Sequence, residues 1–185
     1  MLKRDGSVWT TGCNRYGQLG TGSLKEQTAF VQVVSGRAKA VIGGSRHSMV
    51  LKRDGSVFVT GYNVNGQLGD GSAINKEVFV EVISGGVKAI AAGGFHSMLL
   101  KQDGSIWATG SNQYGQFGDD IAAFKLKFVR VEPFDSGTVH GTIIFTGSTL
   151  ATTESSNHSY PILHFVLHSA CVPVCFLAYV FSSKI

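Results

Sequence analysis

Cysteine is scarce in this sequence. Cys13, Cys171 and Cys175 are the only three in 185 residues, too few for a disulfide framework. No secretory signal opens the chain, because Met1 runs directly into a charged turn at Lys3-Arg4-Asp5. Together these set the expectation of a reducing, intracellular setting, cytoplasmic or nuclear. Charge is also sparse, at 15% of residues against 43% hydrophobic, a balance that excludes a disordered, highly charged chain. Residues 1–131 carry a net charge of +6 and residues 132–185 a net of −2. No three basic residues adjoin, so the charge reads as solvated surface and gives no strong nucleic-acid signal. No segment holds a sustained helical period, which leaves strands.

Glycine is abundant instead, and 21 of the 24 glycines fall within residues 1–118. They recur in register, as turns do and flexible linkers do not. The stretch at residues 51–69, LKRDGSVFVTGYNVNGQLG, recurs with substitutions 49 residues earlier at 2–20, LKRDGSVWTTGCNRYGQLG, and 49 residues later at 100–118, LKQDGSIWATGSNQYGQFG. Within one unit, Ala40-Val41-Ile42 and the run from His47 to Leu51 are apolar. Asp54-Gly55 signals a two-residue hairpin. The run from Ser56 to Thr60 follows, and Phe79-Val80-Glu81-Val82 alternates. Four short antiparallel strands cannot bury both faces alone; tandem copies packed face to face can. A four-stranded period of this length is that of a β-propeller blade.

The register extends to single residues. One copy carries His47, Asp54, Gly55, Gly61, Asn63, Gly66, Gln67 and Gly69. The next carries His96, Asp103, Gly104, Gly110, Asn112, Gly115, Gln116 and Gly118 at the same places. The Gly-Gly-x-x-His-Ser strand, the Leu-x-x-Asp-Gly turn and the Asn-x-x-Gly-Gln-Leu-Gly loop together resemble the repeat of the regulator of chromosome condensation family. The likeness covers residues 1 to about 131. It implies an all-β chain of propeller blades at 1–34 (partial), 35–83 and 84–131. It also implies a ring that in this family usually has seven blades, of which this chain would be a fragment. In the founding member the family's activity is guanine-nucleotide exchange on a small GTPase.

Each repeated residue has a structural reading beside a chemical one. His47 and His96 suit a metal or an acid–base pair, but no carboxylate or cysteine is spaced to join them. The structural reading is a hydrogen bond to a neighbouring blade's backbone. Asp5, Asp54 and Asp103 each precede a glycine, which is a turn role. Asn14, Asn63 and Asn112, with Gln18, Gln67 and Gln116, are expected to bond loop backbone and lock adjacent blades. Trp9 and Trp107 fit core packing at the place of Phe58. The glycine-rich loops lack the Lys-Ser/Thr of a phosphate loop. The expectation is therefore a non-enzymatic protein-binding scaffold with no cofactor and no metal. A small GTPase is a candidate partner.

The repeat stops in the tail. A fourth unit would need a histidine at position 145 and Asp-Gly at 152–153, where the chain has Phe145 and Thr152-Thr153. The tail at 132–185 reads as irregular, with an apolar segment at 161–181 that carries no formal charge. That length can span a bilayer, so a membrane-tethered fragment is a further reading, as is a non-native tail. His164, His168, Cys171 and Cys175 make only a weak metal pattern.

Overall fold

The computed structural model describes residues 1–118 and 123–131, and beyond them the backbone of four short strands. The chain is all-β. Strands β1 (Val8–Gly12) and β2 (Gln27–Val34) pair as a partial blade. Strands β3 (Ala38–Gly43), β4 (His47–Lys52), β5 (Val57–Gly61) and β6 (Lys76–Ile83) form a four-stranded antiparallel sheet in chain order. Strands β7 (Val87–Ala92), β8 (His96–Lys101), β9 (Ile106–Gly110) and β10 (Lys125–Val131) form the next. In each sheet the middle pair has the same register: Met49 faces Val59, and Met98 faces Ala108.

Packing explains why these strands are apolar on both faces. Met49, Leu51, Val57 and Val59 point one way and join Val87, Ile90, Ala92 and Leu99 of the following blade. Val50, Val41 and Phe58 point the other way and meet Val8, Val33 and Val34 of the preceding one. Period-two alternation therefore sends neighbouring side chains into two different cores. Met49, Leu51, Val57 and Val59 are fully buried, each contributing about 1.5–3 kcal/mol. The outer strand β6 is half-buried at five of its eight residues and exposed at the other three.

Residues Met1–Asn112 and Ala123–Val131 form one compact unit, and Gln113–Ala122 with Glu132–Ile185 form a second. In the second unit, β11 (Gly141–Thr146) pairs antiparallel with β12 (Thr149–Glu154), and β13 (Phe165–Val166) with β14 (Leu177–Ala178). Apart from β13 and β14, the apolar segment 161–181 lies outside the described residues, as do the side chains of His164, His168, Cys171 and Cys175. Among the described residues, no helix is long and apolar enough to cross a membrane.

Candidate functional site

The antiparallel order puts the β4–β5 turn at one end of each sheet. The β3–β4 turn and the long β5–β6 loop lie at the other. At the first end the Asp-Gly signal makes a turn, but not the two-residue hairpin expected from sequence. Four residues, 53–56, lie between β4 and β5. Gly55 N donates to Lys52 O at 3.0 Å and Lys52 N to Ser56 O at 2.9 Å. The extra length is stabilised by Asp54, whose Oδ1 accepts from Ser56 N at 3.0 Å and from Ser56 Oγ at 2.6 Å. Asp5 and Asp103 do the same with Ser7 and Ser105. The serine hydroxyl, then the serine N–H, holds all three carboxyls below the usual carboxylate range. Beside these turns, Trp9, Phe58 and Trp107 are half-buried. Lys3, Lys52 and Lys101 cap their rings at 3.9, 3.8 and 3.8 Å, so each ring has one face covered by a cation, and Phe58 and Trp107 pack on the core.

At the other end, the Gly-Gln-Leu-Gly loops of the first and second blades dock on the outer strands of the second and third. Thr21 bridges Val78, and Asp70 bridges Lys127. Gly22 N donates to Glu77 O at 2.9 Å, and Gly71 N to Leu126 O at 2.8 Å. The approach is close enough that only glycine fits: a Cβ on Gly66 would sit 2.5 Å from Lys125 O, with φ at +77°.

The amides hold this loop from inside its own blade. Asn63 is fully buried. Its Oδ1 accepts from Leu68 N at 2.9 Å, and its Nδ2 donates to Asp70 Oδ1 at 2.9 Å, Ser72 O at 3.0 Å and Ile74 O at 3.2 Å. Asn14 builds the same cage with Leu19 N, Ser23 O and Lys25 O, and Asn112 is fully buried as well. Gln18, Gln67 and Gln116 each accept, through Oε1, from the N–H two residues earlier. These amide bonds stay within a blade.

Among the side chains that bond across blades are hydroxyls which the sequence reading passed over. Thr60 Oγ1 shares its proton between Gly17 O at 2.9 Å and Lys76 O of its own blade at 2.8 Å, and Thr109 Oγ1 between Gly66 O and Lys125 O of its own blade, both at 2.8 Å. Ser48 Oγ donates to Gln18 O and Ser97 Oγ to Gln67 O, both at 2.7 Å. Their 49-residue recurrence, Ser48 with Ser97 and Thr60 with Thr109, was the available signal.

His47 lies in the same junction. Its partner is a side chain of the next blade and not the backbone that was expected: Nε2 sits 2.9 Å from Ser97 Oγ. Because Ser97 donates its proton to Gln67 O, it must accept from His47, which fixes the neutral Nε2–H tautomer. Among the described residues His47 Nδ1 has no partner. Burial, then the charge of His96, pushes the His47 pKa down to about 3; burial pushes that of His96 down to about 4. Unfolded, each would titrate near its ordinary value of 6.5. Between that value and the folded ones the unfolded state binds more protons, so stability is complete above about pH 6.5 and falls with decreasing pH. His47 alone should remove about 2 kcal/mol by pH 5. Urea midpoints measured between pH 7 and 5 should fall accordingly, and His47→Gln should flatten the profile. A pH-independent midpoint would place a proton on the folded imidazole.

A family model described as the regulator of chromosome condensation (RCC1) repeat matches residues 5–51 and 54–100. A second model with the same description matches residues 39–67 and 87–116. No curated protein sequence matches significantly. Among solved structures, Prp20p from Saccharomyces cerevisiae, described with its binding to Gsp1p and histones, superposes with a TM-score of 0.65 at 18% identity. The match covers 72% of this chain and 36% of that one. Human WBSCR16 gives 0.60 at 22% identity over the same shares. Yeast RCC1 (Prp20), bound to Kap60, gives 0.65 at 18% identity over 72% and 34%. This chain spans about a third of the length of those structures. Likeness at these identities carries the fold.

Proposed function

The chain belongs to the regulator of chromosome condensation repeat family, and from that premise we propose that it is a non-enzymatic scaffold for protein–protein binding, one sector of a larger propeller. The observation that carries this reading is the junction chemistry. The repeated glycines, Ser48/Ser97 and Thr60/Thr109 join each blade to its neighbour, so the loop ends are held on a rigid row of blades. Loops on a rigid support are where binding residues can vary without cost to the fold. Family structures described with Gsp1p, with histones and with Kap60 support a protein partner.

Guanine-nucleotide exchange on a small GTPase is the second reading, favoured by the resemblance to Prp20p; at this distance it rests on fold likeness. One assay separates the two. The chain is titrated into a small GTPase loaded with fluorescent nucleotide and, in parallel, into core histones, with binding and nucleotide release both followed. The scaffold reading expects binding to one of these proteins with the release rate unchanged. Release accelerated by about tenfold or more, a barrier lowered by about 1.4 kcal/mol, would overturn it in favour of exchange. No binding to either would count against both.

A further inference from the structure

In a repeat protein, residues that serve packing recur, and those that do not recur are free to serve something else. Three side chains that do not recur, and Tyr16, which recurs only in the third copy, meet at the end of the sheets that carries the β5–β6 loops. Arg46 occupies the slot that Phe95 fills one period later. Tyr62 occupies the slot of Cys13 and Ser111. Tyr16 stands where Asn65 stands in the next copy and Tyr114 in the third. Tyr16 and Tyr62 meet edge-to-face at 5.0 Å, and Tyr62 and Phe95 at 6.2 Å. The Arg46 guanidinium lies 5.0, 5.7 and 5.8 Å from the Tyr16, Tyr62 and Phe95 ring centroids. The group runs across all three blades of the compact unit, with Tyr16 on the first, Arg46 and Tyr62 on the second and Phe95 on the third. Its backbone is tied down, since Tyr62 N donates to Arg46 O and Ser111 N to Phe95 O, both at 2.8 Å.

The cluster is rigid, yet it is open to solvent. Arg46 is exposed, and Phe95 is 40% exposed. Among the described residues no carboxylate pairs with Arg46. Among the described residues the acids of the adjoining loops are engaged, Glu26 with Arg15 at 3.8 Å and Asp70 with Lys76 at 3.1 Å. The Asp-Gly aspartates lie at the opposite end of the sheets. A guanidinium stacked on rings keeps its donor edge for a planar acceptor, and carboxylate is the planar acceptor that proteins offer. Arginine and tyrosine are also the side chains that dominate binding energy at protein interfaces. The net charge of +6 over residues 1–131 favours an acidic partner.

We propose that Tyr16, Arg46, Tyr62 and Phe95 form a docking site for an acidic segment of a partner protein, with Arg46 taking a carboxylate and the rings taking the apolar side chain beside it. This rests on the scaffold reading above and goes further by naming the residues and the partner's chemistry.

The test uses the full chain and three labelled peptides of equal length, alternating Glu/Leu, Lys/Leu and Glu/Ser. The Glu/Leu peptide should bind at least about tenfold more tightly than the other two. Arg46→Phe, which installs the residue that the same slot carries in the next blade, should abolish that preference, as should Tyr62→Ala. Arg53→Ala removes the same charge at the opposite end and should leave it intact. Arg46→Glu should transfer the preference to the Lys/Leu peptide, a gain that misfolding cannot mimic. Equal effects of Arg46→Phe and Arg53→Ala would reduce the interaction to net charge and overturn the proposal, as would no peptide binding at all. The Arg46 variants are then carried through the histone and GTPase titrations. Undiminished binding there sinks this site and leaves the scaffold reading standing. If neither peptide nor protein binds the native chain, both fall.

Discussion

Replacing Gly66 with alanine should destabilise the blades by about 2–4 kcal/mol, from left-handed strain and overpacking together. Gly66 has φ at +77°, and an added Cβ would lie 2.5 Å from Lys125 O and 2.9 Å from Leu126 Cα. Both are backbone atoms of the next blade's outer strand, so no side-chain rotation can relieve the clash. Two other glycines separate the causes. Gly86 has the same sign of φ, +76°, but nothing within 4 Å of its Cβ position, and Gly43 has neither constraint. Gly86→Ala should therefore cost about 1–2 kcal/mol from backbone strain alone, and Gly43→Ala close to nothing. Urea unfolding gives all three values. The Gly66 variant should also lower the m-value, because blades separated at their junction no longer unfold together. Equal costs at Gly66 and Gly86 would mean that the loop can lift off the neighbouring strand freely.

That ordering depends on tertiary facts which the sequence only partly displays. The strands were legible because each blade's apolar runs are short, β-branched and punctuated by glycine, and because a fixed 49-residue period repeats every local signal. Val50 and Met49 could be placed on opposite faces from alternation alone. The Asp-Gly turn was legible in position and not in length: Asp54 captures the Ser56 hydroxyl and N–H, and so closes a four-residue turn. His47 was recognisable as a junction residue. Its acceptor, Ser97, sits 50 residues away in a slot that reads as ordinary strand. The asparagines misled in direction, since Asn63 holds its own loop while Thr60 and Ser48 reach across. The cluster around Arg46 was not legible at all. Arg46 and Phe95 share a repeat slot but not a residue type, Tyr16 and Tyr62 sit in two other slots, and only the stacking of three blades brings them together.

Asn63→Ala should cost about 3 kcal/mol, since a buried group left without its partner loses about 1–3 kcal/mol and this side chain serves several. Without it the Leu68 N–H loses its acceptor, and the carbonyls of Ser72 and Ile74 lose a shared donor. Water can replace the bonds at the exposed side of the loop, which keeps the total below a simple sum. The consequence reaches the next blade, because the same loop presents Gly71 N to Leu126 O. Hydrogen exchange should show protection lost at Leu68 and then at Gly71. Retained protection at Gly71 would mean that docking does not depend on the asparagine cage. Asn63→Asp distinguishes shape from chemistry. It preserves volume and the acceptor for Leu68 N, but at neutral pH it aims a second carboxylate oxygen at Asp70 Oδ1, the Ser72 carbonyl and the Ile74 carbonyl. Those acceptors favour the protonated acid, so the introduced carboxyl should have a raised pKa when folded. Its destabilisation should then be largest near pH 7 and shrink as the pH falls through that raised value. The trend opposes the acid lability expected from His47, so it must be read as the difference from native protein at each pH. An Asn63→Asp cost that stays constant with pH would show that Nδ2 is not a donor, and the cage would have to be drawn with the amide turned over.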